Sequence, residues 1–417
     1  MKYIIMCGTT DYVGAWPDYP KHVSVINGEV LVERTIRLLH ECGVYDIYIT
    51  SNDTRYANFG VKFIEYHSSV IWVNGLFNFR EPACYLFGDV YYSYTAINTI
   101  VSRETTSIDF FGSSRHRTIK RWNEPFGFKV VDYQKFFNCV DKTRELCEDG
   151  TLKRCSAWEL WEVIQEAPLN RVTYKDIVSI DDYTCDVDEP KDIITFNNRL
   201  SNQNVMIHCI PERLWYVKEY LVPSLESQFI SKINVWVDTD KLGNLKACLK
   251  SFESLPDNNE STWHLQDDVL VSSNFASIIN SNIDGDIICG FSSIYDKFDG
   301  GIGTPDNMWY SFPCIRIPNK MAREFVKWCN PATIEDRRTK MQIKCNKYDD
   351  TLFNKYLKQL HPNARVNCLI PNIVNHVDWL IGGSVTNPVR NNAANKLVSR
   401  FWDEDNLVEE LEKQLKK

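Results

Sequence analysis

Trp263-His264-Leu265-Gln266-Asp267-Asp268-Val269-Leu270-Val271 sets two adjacent carboxylates inside an otherwise apolar stretch. The apolar flanks predict a buried strand of a parallel sheet, in which side chains are covered on both faces. In open α/β sheets, ligands bind beyond the carboxyl ends of the strands. Asp267 and Asp268 at such an end are two hard oxygen donors, suited to Mg²⁺ or Mn²⁺ holding a diphosphate. The competing reading is a solvated acidic turn.

Working outward, the second half keeps an α/β rhythm. Val205–Ile210 predicts a strand and Pro211 opens a helix; Ile233–Asp238 predicts a strand, Leu242–Phe252 a helix, and Asp286–Ser293 a further short strand. Lys347-Tyr348-Asp349-Asp350 starts a helix with two acids at its N-terminus, where the helix dipole favours them. Gly300–Pro305 reads as a mobile loop, and the charged tail from Phe401 to Lys417 reads as a helix.

The first half carries the same rhythm. Tyr3–Cys7 predicts a buried strand, and Gly8-Thr9-Thr10 begins a small-residue loop suited to phosphate binding through backbone N–H groups. Lys21 can add a point charge to a phosphate. Val32, Ile36 and Leu39 fall on one helical face, Gly43 stops that helix, and Tyr45–Thr50 predicts the next strand. This is a βαβ unit. Tyr85–Phe87 is an apolar strand ending in Gly88-Asp89, and Asp188-Glu189-Pro190 opens a helix. The polar run Asn197–Asn204 marks a boundary, giving domains 1–202 and 203–417.

The chain has 417 residues, consistent with about two to three domains, and 44% of them are hydrophobic, enough for sizeable cores. A net charge of −8 argues against a general nucleic-acid binder. The 14 cysteines include no C-x-x-C pair, so they read as reduced thiols. The N-terminal apolar run is too short for a signal peptide, and no stretch approaches the ~18 apolar residues of a membrane span. A soluble, cytoplasmic protein is expected.

The pieces Met1–Gly8, Pro20–Val23, Asn27–Ile36 and Gly43–Ile47, in this order, resemble the sugar-phosphate nucleotidylyltransferases and their molybdenum-cofactor guanylyltransferase-like relatives. The resemblance covers roughly the first 200 residues. It implies an NTP and a sugar 1-phosphate as substrates, nucleotide contacts from Gly8, Thr9, Thr10, Lys21 and Gly88, and metal ligation by Asp89 and Asp188. The family's loop arginine is missing from Gly8-Thr9-Thr10-Asp11, which leaves Lys21 and Arg34 as the candidate cations.

Val205 to Val385 resembles the GT-A glycosyltransferases through Gln266-Asp267-Asp268-Val269, the acidic helix start at Asp349-Asp350, and the close Pro371-Asn372-Ile373-Val374-Asn375-His376. That likeness implies a nucleotide-sugar held by Gln266, a metal held by Asp267, Asp268 and His376, and Asp349 or Asp350 as general base toward an acceptor hydroxyl. The acceptor class stays open among a glycan, a small molecule and a modified nucleobase. The expected architecture is therefore α/β, two tandem Rossmann-like three-layer α/β/α domains. The expected function is bifunctional, with the first domain making an activated sugar and the second transferring it. The alternatives are a single glycosyltransferase with a degenerate N-terminal half, or a non-catalytic nucleotide-sugar sensor.

Overall fold

The computed structural model describes residues 1–8, 20–65, 76–113, 123–180, 182–292, 300–306, 312–332, 334–346, 349–382 and 402–416. The chain divides into two compact units, Met1–Leu200 and Ser201–Lys417, each built on a mixed α/β plan around a seven-stranded sheet. No helix among the described residues is long and apolar enough to cross a membrane.

In the first unit the strand order is Ile177–Ser179, Ile108–Gly112, Pro125–Val130, Ala83–Phe87, Lys2–Met6, Ile47–Ser51, Lys62–Glu65. All neighbours are parallel except Pro125–Val130, which runs antiparallel to both strands beside it. The central strands are apolar on both faces, as the burial of Ile4, Ile5, Cys84 and Leu86 requires. Helix Leu31–Glu41 buries Val32, Ile36 and Leu39 against this sheet. It ends at Gly43, whose φ of +80° lets the Gly43 N–H reach His40 O and the Val44 N–H reach Leu39 O, both at 2.9 Å. This pair of bonds satisfies carbonyls that a helix end would otherwise leave open.

In the second unit the order is Ile233–Val237, Asn204–Cys209, Ser261–Gln266, Cys314–Pro318, Ile287–Cys289, Val366–Cys368, Gly301–Gly303. The opening stretch is thus a central strand, parallel to Asn204–Cys209 on one side but antiparallel to Cys314–Pro318 on the other. The expected parallel sheet is corrected to a mixed one. Alternation along Ser261–Gln266 sends His264 toward Phe252, ring centroids 4.7 Å apart, while Trp263 meets Phe275 at 6.2 Å. Helices Asn244–Glu253, Asn319–Trp328 and Asp349–Leu360 bury Phe252, Phe325, Phe353 and Tyr356 in one core with Met206, Ile287 and Ile315 of the sheet.

The Gly300–Pro305 loop expectation is also corrected. Gly301–Gly303 pairs antiparallel with Val366–Cys368 as an edge strand. Glycine is depleted in strands, so composition concealed it; the backbone ladder, not side-chain packing, makes this strand.

Candidate functional site

Ala83–Phe87 ends at the turn Gly88-Asp89, and the chain continues into the short strand Val90–Tyr91. Gly88 is required sterically: a Cβ there would lie 2.6 Å from Cys7 Sγ and 2.7 Å from Met6 O, inside contact distance. Val90–Tyr91 pairs antiparallel with Cys185–Asp186, with Val90 opposite Asp186. The Val187 N–H donates to Asp89 O at 2.8 Å, and this register brings Asp188 alongside the Gly88-Asp89 turn. Pro20 opens the 3-10 turn Lys21–Val23. Lys21 Nζ lies 2.5 Å from Asp89 Oδ2 and 3.9 Å from Asp188 Oδ1.

Lys21 is buried, whereas the Asp188 side chain is 51% exposed, so the cluster opens to solvent on the Asp188 side. Burial alone would lower the Lys21 pKa, but the Asp89 charge prevails and raises it. Burial likewise opposes ionisation of Asp89, yet Lys21 holds its carboxyl below the usual range. Arg34, the other candidate cation, is taken up structurally: it donates to Tyr92 O at 2.8 Å, Glu29 at 3.0 Å and Tyr183 Oη at 2.9 Å. Gly8 follows the first strand, while Thr9 and Thr10 lie outside the described residues.

In the second unit Ser261–Gln266 ends at Asp267-Asp268 and continues into Val269–Val271. That strand pairs antiparallel with Val374–His376, Val269 opposite His376, and the Val377 N–H donates to Asp268 O at 2.8 Å. Pro211 opens a 3-10 turn ending at Arg213. Arg213 Nη1 donates to Asp267 Oδ1 at 2.8 Å and to Asp268 Oδ2 at 2.5 Å, and the Ile210 N–H donates to Asp267 Oδ2 at 2.8 Å. His376 Nε2 lies 3.2 Å from Asp268 Oδ1, and its Nδ1 lies 3.2 Å from Asp378 Oδ1. Burial would lower the His376 pKa, but Asp268 and Asp378 push it up to about 9. Burial also opposes the charge on Asp268, which His376 and Arg213 nevertheless hold strongly ionised. Asp267 moves the other way, raised by burial and by repulsion from Asp268 despite Arg213.

Asp268, His376 and Asp378 can each offer one ligand atom within 4.8 Å of the others. Asp378 is 1% exposed, and neither of its carboxylate oxygens accepts a hydrogen bond among the described residues. His376, held between Asp268 and Asp378, partly balances their charge, and two carboxylates with an imidazole are also a donor set that fits a divalent cation. Asp267, also expected as a ligand, accepts from Arg213 and from the Ile210 N–H, and Asp378 joins Asp268 and His376 in the group. Glu124, Cys185 and Asp186 form the other such group among the described residues, and the Asp186 N–H donates to Glu124 at 3.2 Å.

Gln266 remains at its strand end, its N–H bonded to Pro313 O at 3.1 Å. Asp349 is buried and accepts from Asn244 Nδ2 at 2.8 Å; burial and the neighbouring Asp350 raise its pKa. Asp350 accepts from the Thr351 N–H at 2.6 Å. Neither Asp268 nor His376 is among the partners of Asp349.

Arg213 and Asp378 are the site residues that motif reading passed over. The available signals were modest: Arg213 follows Pro211 at a strand end as Lys21 follows Pro20, and His376-Val377-Asp378 matches Asp186-Val187-Asp188 in spacing.

Neither a protein-family model nor a curated protein matches the chain. Among solved structures, a Bacillus anthracis protein assigned as a glucose-1-phosphate thymidylyltransferase is 14% identical, with a TM-score of 0.34, over 47% of this chain and 94% of that one. The CTP:phosphocholine cytidylyltransferase of Streptococcus pneumoniae is 14% identical, TM-score 0.34, over 47% of this chain and 97% of that one. The inositol-1-phosphate CTP transferase of T. maritima is 16% identical, TM-score 0.31, over 46% and 90%. About half of the chain is thus similar in structure to nucleotidyltransferases.

Proposed function

We propose that the protein is a bifunctional transferase, in which the first unit forms a nucleotide-activated sugar and the second transfers that sugar to an acceptor hydroxyl. The observation that carries the first half is the convergence of Lys21, Asp89 and Asp188 where the strands Lys2–Met6 and Ala83–Phe87, parallel to each other, end. Lys21 neutralises phosphate charge and holds the α-phosphate in place. Asp89 and Asp188 would hold Mg²⁺, which keeps several waters and binds through one or two carboxylates plus substrate phosphates. When bound, that ion would offset the negative charge developing on the phosphates. A phosphate oxygen of the sugar 1-phosphate forms the new bond to the α-phosphorus, and pyrophosphate leaves.

In the second unit Asp268, His376 and Asp378 would hold Mg²⁺ or Mn²⁺ with the diphosphate of the nucleotide-sugar. Asp349, with a pKa raised by burial, suits a general base that takes the acceptor proton. The test is turnover with Mg²⁺, each NTP and a panel of sugar 1-phosphates. Pyrophosphate release that disappears in Asp89→Asn is expected, and its absence with every pair would overturn the first activity. Nucleotide-sugar hydrolysis unchanged in Asp268→Ala would overturn the second.

A further inference from the structure

The helix Arg337–Lys344 reads Arg-Arg-Thr-Lys-Met-Gln-Ile-Lys, with four cations and no acid, in a chain whose net charge is −8. At ~100° per residue Thr339 and Ile343 fall together, and both are buried. Arg337, Arg338, Lys340, Met341 and Lys344 share the opposite half of the helix. All of these are exposed except Lys340, which is partly so; Met341 is 60% exposed. The inner side is fixed from the helix Asp349–Leu360, where Lys355 Nζ donates to Thr339 Oγ1 at 3.2 Å and to Gln342 Oε1. Several exposed cations elsewhere are paired with acids, as Arg55 with Asp53, Lys62 with Asp46 and Arg365 with Asp284. The side chains of the four outer cations of this helix make no ion pair or hydrogen bond among the described residues.

The end of this helix is tied to the candidate base. Asn346, two residues past Lys344, accepts from the Lys246 N–H at 2.8 Å and donates to Leu242 O. On the same turn Asn244 Nδ2 donates to Asp349 Oδ1 at 2.8 Å. The start of the helix Asn244–Glu253 therefore holds Asp349 and the end of the basic helix side by side.

We infer that the outer face of Arg337–Lys344 docks an acidic polysaccharide and holds it beside Asp349 as the acceptor of the sugar. The inference rests on the transfer reaction proposed for the second unit and names its acceptor class. The four charges lie within about 10 Å along the helix, near one Debye length at moderate salt, so they act together on a repeating anion rather than singly on a small one. Charge complementarity alone would also admit nucleic acid or an anionic membrane, and the composition of the face decides against both. It carries no aromatic ring on which bases of a single strand could stack. A duplex is opposed by the chain's net charge of −8. Met341 is the one large apolar side chain on the exposed half, too little apolar surface for a helix that lies in a membrane interface. A hydroxyl-rich polymer bearing carboxylates needs only the cations, and it brings the hydroxyl that a base at Asp349 would deprotonate.

The test is binding of the full chain to immobilised polygalacturonate, with dextran, duplex DNA and anionic phospholipid vesicles as comparators. Polygalacturonate should bind and dextran should not. Replacing Arg337, Arg338, Lys340 and Lys344 together by Gln should weaken binding about 10- to 100-fold at low salt, while Arg337→Lys with Arg338→Lys should retain it. Binding unmoved by the four Gln substitutions, or equal binding to dextran, overturns the inference. Tighter binding of DNA or vesicles through the same four residues overturns the acidic-polysaccharide assignment. The wild-type chain keeps the test decisive even where a variant fails to fold: no weakening between about 0.05 and 0.5 M salt overturns a charge-held contact. Nucleotide-sugar hydrolysis in wild type and in Asp268→Ala is read separately. Hydrolysis unmoved in Asp268→Ala, with polygalacturonate binding lost in the Gln variant, supports the docking face and removes its premise of transfer. Hydrolysis lost in Asp268→Ala, with binding unmoved in the Gln variant, removes the acceptor class and leaves the transfer reading standing.

Discussion

Lys21 and Asp89 meet at 2.5 Å where the Ala83–Phe87 strand ends, so the first unit's candidate site holds its own counter-ion. A cation already resting on a carboxylate is preorganised for an incoming phosphate and needs little rearrangement to meet it. Lys21→Ala is expected to lower pyrophosphate release by about 10²- to 10³-fold, the usual cost of removing one preorganised charge contact. A steady-state assay with saturating NTP checks this, and a loss under tenfold would remove Lys21 from the site.

Arg213 is buried and bonds both Asp267 and Asp268. Removing it leaves two buried carboxylates with one cation fewer, and breaking a buried pair from one side costs about 3–5 kcal/mol. Arg213→Met should therefore lower the denaturant midpoint of the second unit, and adding Asp267→Asn should restore part of it. A double variant no better than the single one would show that Asp267 and Arg213 are not coupled.

Acid should weaken the protein through three buried histidines, His22, His208 and His264. Ser251 Oγ donates to Cys248 O, so it accepts from His208 Nδ1, and His208 Nε2 accepts from His264 Nδ1; both imidazole contacts are 2.9 Å. Burial pushes His208 down to about 4 and His264 well below its ordinary value. In the first unit burial pushes His22 down to about 4 as well, where its ring meets Tyr56 Oη at 2.8 Å. An unfolded histidine titrates near ~6.5, so below that pH the unfolded chain binds protons the folded chain refuses. The stabilisation is complete above ~6.5 and is lost as pH falls through about 4, on the order of 3 kcal/mol for His208. Urea melts at pH 7.5, 6 and 5 read this, and His264→Phe should flatten the slope of the second unit.

Gly88→Ala tests the close approach of the strand ends. The added Cβ would meet Cys7 Sγ at 2.6 Å and Met6 O at 2.7 Å, and overpacking of this kind costs about 1–3 kcal/mol. Because Asp89 is the next residue, catalysis should fall more than stability does. Thermal melting and pyrophosphate release on the same sample separate the two, and an unchanged rate would show that the turn tolerates the shift.

Much of this was legible in the sequence. Apolar strands ending in Gly88-Asp89 and Asp267-Asp268, with a Pro-Lys between the first strand and helix, pointed to carboxylates at sheet edges, and Lys21, Asp89 and Asp188 do gather there. Arg213 stayed hidden because its partners are set by strand register: His208 pairs with Gln266, which carries the following residues toward Asp267. Gly301–Gly303 escaped because a strand made by its backbone leaves no side-chain alternation to read.

The ribbon that joins Val269 to His376 brings together two stretches of the second unit more than a hundred residues apart in sequence. During synthesis Arg213, Asp267 and Asp268 leave the ribosome well before His376 and Asp378 exist. Arg213 is thus available to Asp267 and Asp268 from an earlier part of the chain than His376 is. The Asp268–His376 pair can form only after the whole stretch between Val269 and Val374 has been made and folded back, so the contact depends on long-range pairing rather than on local sequence.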